Sequence, residues 1–453
     1  MKKLSLVVLI LMGLLIAVPA AAWHGPVFNF EGETITIYHW RGEMGERFSE
    51  GEDLAQKLWV EDAFNVKIEF AIPGVHMDFL QTLQTHVVAG ESPAAIFVGQ
   101  NQWMYMAAAQ GLLLSLDDVL TPDYYDSLAP LTRNIASGYV FADRIYGAAD
   151  TLGAQLEIPA VIWNKTKFEE QGLPSLYELY DDGLWTWEKF KELAIGATRD
   201  TTDDGLMDQY GVETRWGTPV ASGFWQAVYM WAVNNGGDLT RSIDGRETFV
   251  FDEPEVVEAF EFWLELADAQ AVGGSWGPGF AAGESIMAFN ILCFCMLDQL
   301  LDRGEEWGAV PLPVGPSGTE PVPINRLDTA LMLPITTSNP AAKIELVSAL
   351  YRTTNSYRDV QEWQDQLVAD WAVEGYRSLI PDWANPPRDR RTVEVFEWLN
   401  LNAIQATYWE LIQNAPGFMD TMQAIFAREV SPAVGLAEIA PVVQQYIDEM
   451  IGQ

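Results

Sequence analysis

The sequence predicts an α/β protein of two domains, each a mostly parallel sheet flanked by helices. Three observations lead there. Short apolar, β-branched runs such as Ala94–Val98 and Ile158–Trp163 alternate with amphipathic helical stretches, the pattern of parallel sheets covered on both faces. Hydrophobic residues make up 49% of the chain and charged ones 20%, so it is globular rather than disordered. Without a short leader, roughly 430 residues remain, more than one ordinary core accommodates.

The leader is the first element. Met1-Lys2-Lys3, an apolar run from Leu4 to Val18 and Pro19-Ala20-Ala21-Ala22 read as a secretory signal peptide over residues 1–22. The run is shorter than the ~20 residues a membrane span needs. No cysteine stands at the cleavage site, which argues against a lipid anchor, and no later segment is apolar enough to span. The expectation is a periplasmic or otherwise extracytoplasmic, soluble protein beginning near Trp23.

Glu33–Tyr38 alternates as a strand, and so do Val66, Ile68, Phe70 and Ile72, with a helix around Leu54–Phe64 between them. A second helix places Phe79, Leu80, Leu83, Val87 and Val88 on one face and ends near Gly90; Pro93 then leads into a buried strand, Ala94–Val98. Ligands of such sheets bind beyond the carboxyl ends of strands, which singles out His39-Trp40-Arg41 and Gln100-Asn101-Gln102-Trp103. Ile158–Trp163 reads as a strand buried on both faces, Gly172-Leu173-Pro174 as a breaker and Trp185-Thr186-Trp187-Glu188 as a helix start. There Thr186 is the cap and Glu188 occupies the positive first turn. Trp225 to Gly237 carries Phe224, Val228, Trp231 and Ala232 before Asn234-Asn235-Gly236-Gly237, and a further helix is expected from Asp252-Glu253-Pro254 to a stop at Gly273-Gly274.

Several of these pieces together resemble one family. Tyr146-Gly147, Trp163-Asn164-Lys165, Gly172-Leu173-Pro174 and Trp187-Glu188-Lys189-Phe190 follow one another in the order found in the sugar-binding members of extracellular solute-binding protein family 1. The likeness extends to Gly90-Glu91-Ser92-Pro93-Ala94, Gly111–Leu116, Asn234-Asn235-Gly236-Gly237, Phe280–Met287, Trp307–Pro313, Leu331–Pro334, Asn339–Lys343 and Ala406-Thr407-Tyr408-Trp409, nearly the whole chain. Trp163 stands where the family has Tyr, Ala149 where it has Pro, and Ala94 where it has Asp. Cys293 falls near a position of a stacking Trp.

The resemblance implies the two-lobe periplasmic-binding-protein fold of class II type, with the ligand cleft between lobes. The expected division is 23–145 with 307–352 as the N-terminal lobe and 146–306 with 353–453 as the C-terminal lobe. The chain would cross near 140–150, 300–308 and 350–356. It also implies a monomeric receptor of an ABC importer that captures a sugar or oligosaccharide, closes on it by a hinge, and delivers it to the permease subunits in the membrane. Alternative readings are a receptor for a polyol or glycerol phosphate ester, and an exported carbohydrate-active hydrolase.

Sugar binding needs flat apolar faces for ring C–H surfaces and a few fixed polar groups for hydroxyls. Of the 18 tryptophans, Trp40, Trp103, Trp216, Trp225, Trp276 and Trp409 lie at element ends, whereas Trp263 lies in a helical stripe and reads as core. Polar candidates are Arg41, Asn101, Asp150, Glu157, Asn290, Arg326 and Asp328; Arg326 and Asp328 equally suit pairing with each other. Asp200, Thr202, Asp204, Leu206 and Asp208 match the first ligand positions of a calcium loop, although Gly211 replaces the bidentate Glu. The alternatives are a structural calcium ion and an acidic surface turn; no cofactor is required.

The net charge of −38 repels nucleic-acid phosphates and anionic lipids. It reads as a well-solvated surface suited to saline surroundings, or as a means of recruiting a cationic ligand. Cys293 and Cys295 are two apart, too constrained for a local disulfide on a strand, and read as buried thiols. With four histidines and no G-x-S-x-G, H-E-x-x-H or phosphate-cradling loop, enzymatic chemistry is not expected.

Overall fold

The computed structural model describes residues 27–40, 42, 45–46, 48–75, 77–90, 94–120, 137–149, 158–275, 278–291, 304–325, 329–351 and 390–452. The leader, Arg41, Asp150, Glu157, Trp276, Arg326, Asp328 and both cysteines lie outside them. The chain forms two compact units, each built from two separate segments.

Unit 1 opens with strand β1 (Thr34–His39), helix α1 (Gly51–Phe64), strand β2 (Lys67–Ala71), helix α2 (Met77–Ala89), strand β3 (Ala95–Gln100) and helix α3 (Asn101–Ala109). Ile35 and Ile37 alternate into the core while their neighbours face out, as a strand with period two requires. After α1, Asn65 adopts a left-handed conformation (φ 49°) and returns the chain into β2. In α2, Phe79, Leu80 and Leu83 are buried, but Val88 is 80% exposed and departs from the expected face. The short strand β4 (Ala148–Ala149) ends this segment.

Unit 2 begins with β5 (Pro159–Asn164), whose six residues are all buried. Asn164 then accepts a bond from Lys167 N (3.0 Å), capping helix α4 (Lys165–Glu170), and donates to Glu305 (2.6 Å). Helix α5 (Trp187–Ala197) is capped by Thr186, which accepts from Lys189 N at 3.4 Å, and its face Phe190, Leu193, Ala194 is buried. Strand β6 (Tyr210–Thr214) follows, then helices α6 (Trp225–Val233) and α7 (Pro254–Asp268), strand β7 (Val272–Ser275), helix α8 (Pro278–Ala282), and strands β8 (Ser285–Ile291) and β9 (Trp307–Val310). Gly273 and Gly274 lie inside β7 and do not stop α7. That helix ends at Ala269–Gln270, where Gln270 takes φ 54°.

The chain returns to unit 1 as β10 (Thr329–Met332) and helix α9 (Pro340–Tyr351), then completes unit 2 with helices α10 (Arg390–Asn402), α11 (Trp409–Gln413), α12 (Phe418–Phe426) and α13 (Pro432–Ile451). The sheet of unit 1 runs β2-β1-β3-β10-β4, with β2, β1 and β3 parallel and β10 antiparallel to both neighbours. The sheet of unit 2 runs β7-β6-β8-β5-β9, parallel from β7 to β8 and antiparallel across β5.

Two expected boundaries are corrected by this pairing. Trp307–Val310 bonds to β5, so the stretch from 307 belongs to unit 2 and the return to unit 1 comes at β10. Ala148–Ala149 pairs with β10, so the stretch just past 146 stays in unit 1.

Candidate functional site

In unit 1 the chain leaves β1 for β2 on one side and returns as β3 on the other. The carboxyl ends of β1 and β3 therefore flank a topological switch point, the usual ligand position of such sheets. Trp40 follows β1 and stays registered with the sheet, its N–H donating to Val98 O at 3.0 Å. Its half-buried ring meets Trp103 edge-on, centroids 5.9 Å apart, and Trp103 packs on Phe79 at 4.9 Å. Gly99 allows this: a Cβ there would lie 2.6 Å from the Phe79 ring and 3.0 Å from Trp103.

Beside the tryptophans, Asn101 and Gln102 are buried in the first turn of α3, and Gln102 Nε2 donates to Gln100 Oε1 at 2.6 Å. The Gln100 side chain does not cap that helix, so its first amide groups add donors to this end of the sheet. The structure thus brings Trp40, Asn101 and Trp103 together. Trp103 is itself buried and serves as backing for Trp40.

In unit 2 the corresponding edge holds the ends of β6 and β8. Trp216, half-buried, lies on Phe289 with centroids 4.7 Å apart, and Arg215 N donates to Phe289 O at 3.2 Å. Asn290, next in β8, is buried, and its side-chain oxygen has no hydrogen-bond partner among the described residues. Such an acceptor is costly unless something donates to it.

Trp225 and Trp409 require a correction. Trp225 is fully enclosed, edge-on to Phe418 (5.1 Å) and Phe251 (6.0 Å), and Trp409 lies buried 6.4 Å from it. Both belong to the hydrophobic core of unit 2 and offer no open stacking face.

The acidic loop folds on its own amides. Asp208 Oδ2 accepts from Thr201 N, Thr201 Oγ1 and Thr202 N at 2.6–3.0 Å, and Asp200 Oδ2 accepts from Gly205 N at 2.8 Å. Asp204 Oδ1 accepts from Leu206 N at 2.8 Å. The donors from Thr201 and Thr202 hold the Asp208 carboxyl below its usual range. Among the described residues no three His, Cys, Asp or Glu side chains gather so as to hold a metal ion.

One residue was not singled out from the sequence. Glu213, buried in β6, accepts from Phe280 N at 2.6 Å and so anchors α8 beside the β6–β8 edge. A carboxylate directly after Val212 in the short run Tyr210–Thr214 is the available signal. A cavity of about 470 Å³ in unit 2, beside Trp185, Trp187 and Val314 at the start of α5, includes no residue of either edge.

A family model described as bacterial extracellular solute-binding protein matches residues 60–424. The chain belongs to this family. A search of curated protein sequences gives no match. Among solved structures, this solute-binding protein is similar to one from Thermotoga lettingae bound with alpha-D-tagatose. Identity is 18%, covering 92% of this chain and 100% of that one, with a TM-score of 0.59. The maltose/maltodextrin-binding domain of Bdellovibrio bacteriovorus bound to maltotriose gives 15%, 93%, 100% and 0.58 in the same order. UgpB of Mycobacterium tuberculosis with glycerophosphocholine gives 17%, 91%, 99% and 0.59.

At these identities the likeness shows the fold, that of the two-lobe periplasmic binding proteins. As a family member the chain is a solute-binding receptor of an ABC importer that acts outside the cytoplasm and delivers its ligand to the permease; it is not an enzyme. Among the described residues no helix is long and apolar enough to cross a membrane.

Proposed function

We propose that the cargo of this solute-binding protein is a mono- or oligosaccharide. The observation that carries the reading is the Trp40 ring, held edge-on by Trp103 at a strand-end switch point with the amides of Gln100, Asn101 and Gln102 alongside. A flat apolar face next to fixed polar groups is what a sugar ring recognises. Trp216 and Asn290 are the contacts proposed for unit 2. The tagatose and maltotriose named for similar structures support the same class.

A glycerol phosphate ester is the second reading, favoured by Arg215 at the end of β6 and by the glycerophosphocholine named for the mycobacterial structure. Native mass spectrometry of the purified protein, with a thermal-shift panel of sugars and phosphate esters, tests both. A bound mass or stabilisation by saccharides alone supports the first; stabilisation by phosphate esters alone replaces it with the second.

The receptor is proposed to work as a monomer, checked by light scattering. It is proposed to be exported by its leader, and amino-terminal sequencing of the exported form should begin near Trp23.

A further inference from the structure

The cavity of about 470 Å³ at the start of α5 takes no part in the strand-end sites. It lies wholly within unit 2, where the helix start meets the stretch 314–321 that follows β9. Trp185 and Trp187 line it, both buried, together with Tyr180, Val314, Pro316 and Pro321. Its size and apolar lining suit a small organic molecule.

The wall formed by 314–321 is fixed in advance by two buried asparagines that follow α6. Asn234 accepts from Val322 N at 2.9 Å and donates to Val322 O at 3.1 Å, and Asn235 accepts from Ser317 N at 2.8 Å. Gly315 and Gly318 allow this approach. A Cβ would lie 2.3 Å from Asn235 Oδ1 at the first and 2.2 Å from Asn234 O at the second. Trp187 N donates to Val314 O at 3.0 Å and ties the wall to the helix. A wall held in this way needs little further ordering when a ligand binds.

The polar groups of the cavity are mostly acceptors. Glu188 and Glu320 bring two carboxylates, and neither has an ion-pair partner among the described residues. Lys189 is paired with Glu192 instead, and Arg391, whose charge reaches Tyr180, with Asp181 and Glu394. Among the described residues no Lys, Arg or His lines the cavity. Trp185 Nε1 is committed to Pro311 O at 2.8 Å, and Trp187 Nε1 is closed off from solvent. The positive end of α5 is largely occupied too: Thr186 N donates to Leu184 O, Trp187 N to Val314 O and Lys189 N to Thr186 Oγ1. Thr186 and Thr319 add hydroxyls that accept as readily as they donate. An ammonium, with three donors and no acceptor, matches this set better than an anion or a sugar hydroxyl. The net charge of −38 favours the same sign.

We propose that this cavity is a second ligand site, taking a primary amine with an apolar body: the ammonium on Glu188 and Glu320, the hydrocarbon part against Tyr180, Pro316 and Pro321. It is separate from the cargo site and stands whether or not the cargo is a saccharide. Ligand-observed NMR titration of the whole exported protein at neutral pH, with phenethylamine and with phenethyl alcohol as its uncharged counterpart, tests it. The amine should bind about five- to tenfold more tightly, the scale of two charge contacts screened by solvent.

In Glu188→Gln/Glu320→Gln, exposed substitutions whose folding is checked by circular dichroism, the amine-to-alcohol affinity ratio should fall to about one. Either single variant should lower the same ratio and serves if the pair does not fold. A saturating saccharide from the thermal-shift panel should leave the amine affinity unchanged. The proposal is overturned if the amine does not bind or the alcohol binds as well. It is equally overturned if the preference survives in the double variant, which would assign it to the acidic surface at large, or if the saccharide displaces the amine, which would place the amine in the cargo site. None of these results touches the saccharide reading, which the sugar panel tests by itself.

Discussion

Replacing Gly99 by Ala tests how the Trp40 face is held. The new methyl would stand 2.6 Å from Cε2 and Cζ of Phe79 and 3.0 Å from Cε3 of Trp103. Gly99 lies in β3, bonded on both sides, where its register partner Ala330 of β10 leaves the strand little room to move. The rings must shift instead, and overpacking of this kind costs about 1–3 kcal/mol. For a unit of this size that corresponds to a fall of roughly 2–10 °C in Tm. Because Trp103 backs Trp40, displacing it should also weaken saccharide binding roughly 2- to 10-fold, the worth of an ordered ring pair. Differential scanning fluorimetry and calorimetry read the two effects separately. An unchanged Tm with unchanged affinity would refute the reasoning, because the ring stack would then be soft and Trp40 would not depend on it.

Trp225→Ala should cost about 3–5 kcal/mol of stability as a core truncation, and a variant with normal melting and lost cargo binding would return Trp225 to the site. Gly211→Ala should fold poorly or not at all, because its Cβ would lie 1.9 Å from Ala194 O where α5 crosses β6; yield and circular dichroism check this. Burial raises the Asp238 carboxyl to about 6, against the bonds from Leu239 N and Tyr229. The folded state therefore holds this proton more tightly than the unfolded chain, and that contribution, on the order of 2–3 kcal/mol, is full below about pH 4 and lost as pH rises through 6. Urea unfolding of Asp238→Asn alongside the parent protein at pH 4 and pH 7 should show that difference; parallel curves would count against it. With 64 acidic residues against 26 basic ones, Tm should rise with sodium chloride as self-repulsion is screened, and a flat or falling Tm would contradict this.

Much of the fold was legible because its signals are local. The apolar run Ile158–Trp163 and the cap at Thr186 are decided by neighbouring residues, and both appear as expected in β5 and α5. What failed depends on distant partners. Trp307–Val310 would suit either sheet by composition; only its bonds to β5 place it in unit 2. Trp225 has the same residue type whether it is a stacking platform or core, and Phe418, from the far end of the chain, encloses it. At the candidate site, Trp40, Asn101 and Trp103 lie together at the strand ends because topology rather than side-chain chemistry decides which loops meet there.

The position of β10 bears on how the protein is made and moved. It lies between β3 and β4 and follows strands β5 to β9 of unit 2 in the chain. As the chain emerges from the ribosome, β3 therefore keeps an unsatisfied edge until that late strand arrives, and unit 1 cannot finish folding on its own. For the leader-directed export proposed above, a chain threaded unfolded through a channel benefits from such a delay. Here the order of the strands itself delays the first unit until most of the chain has been synthesised.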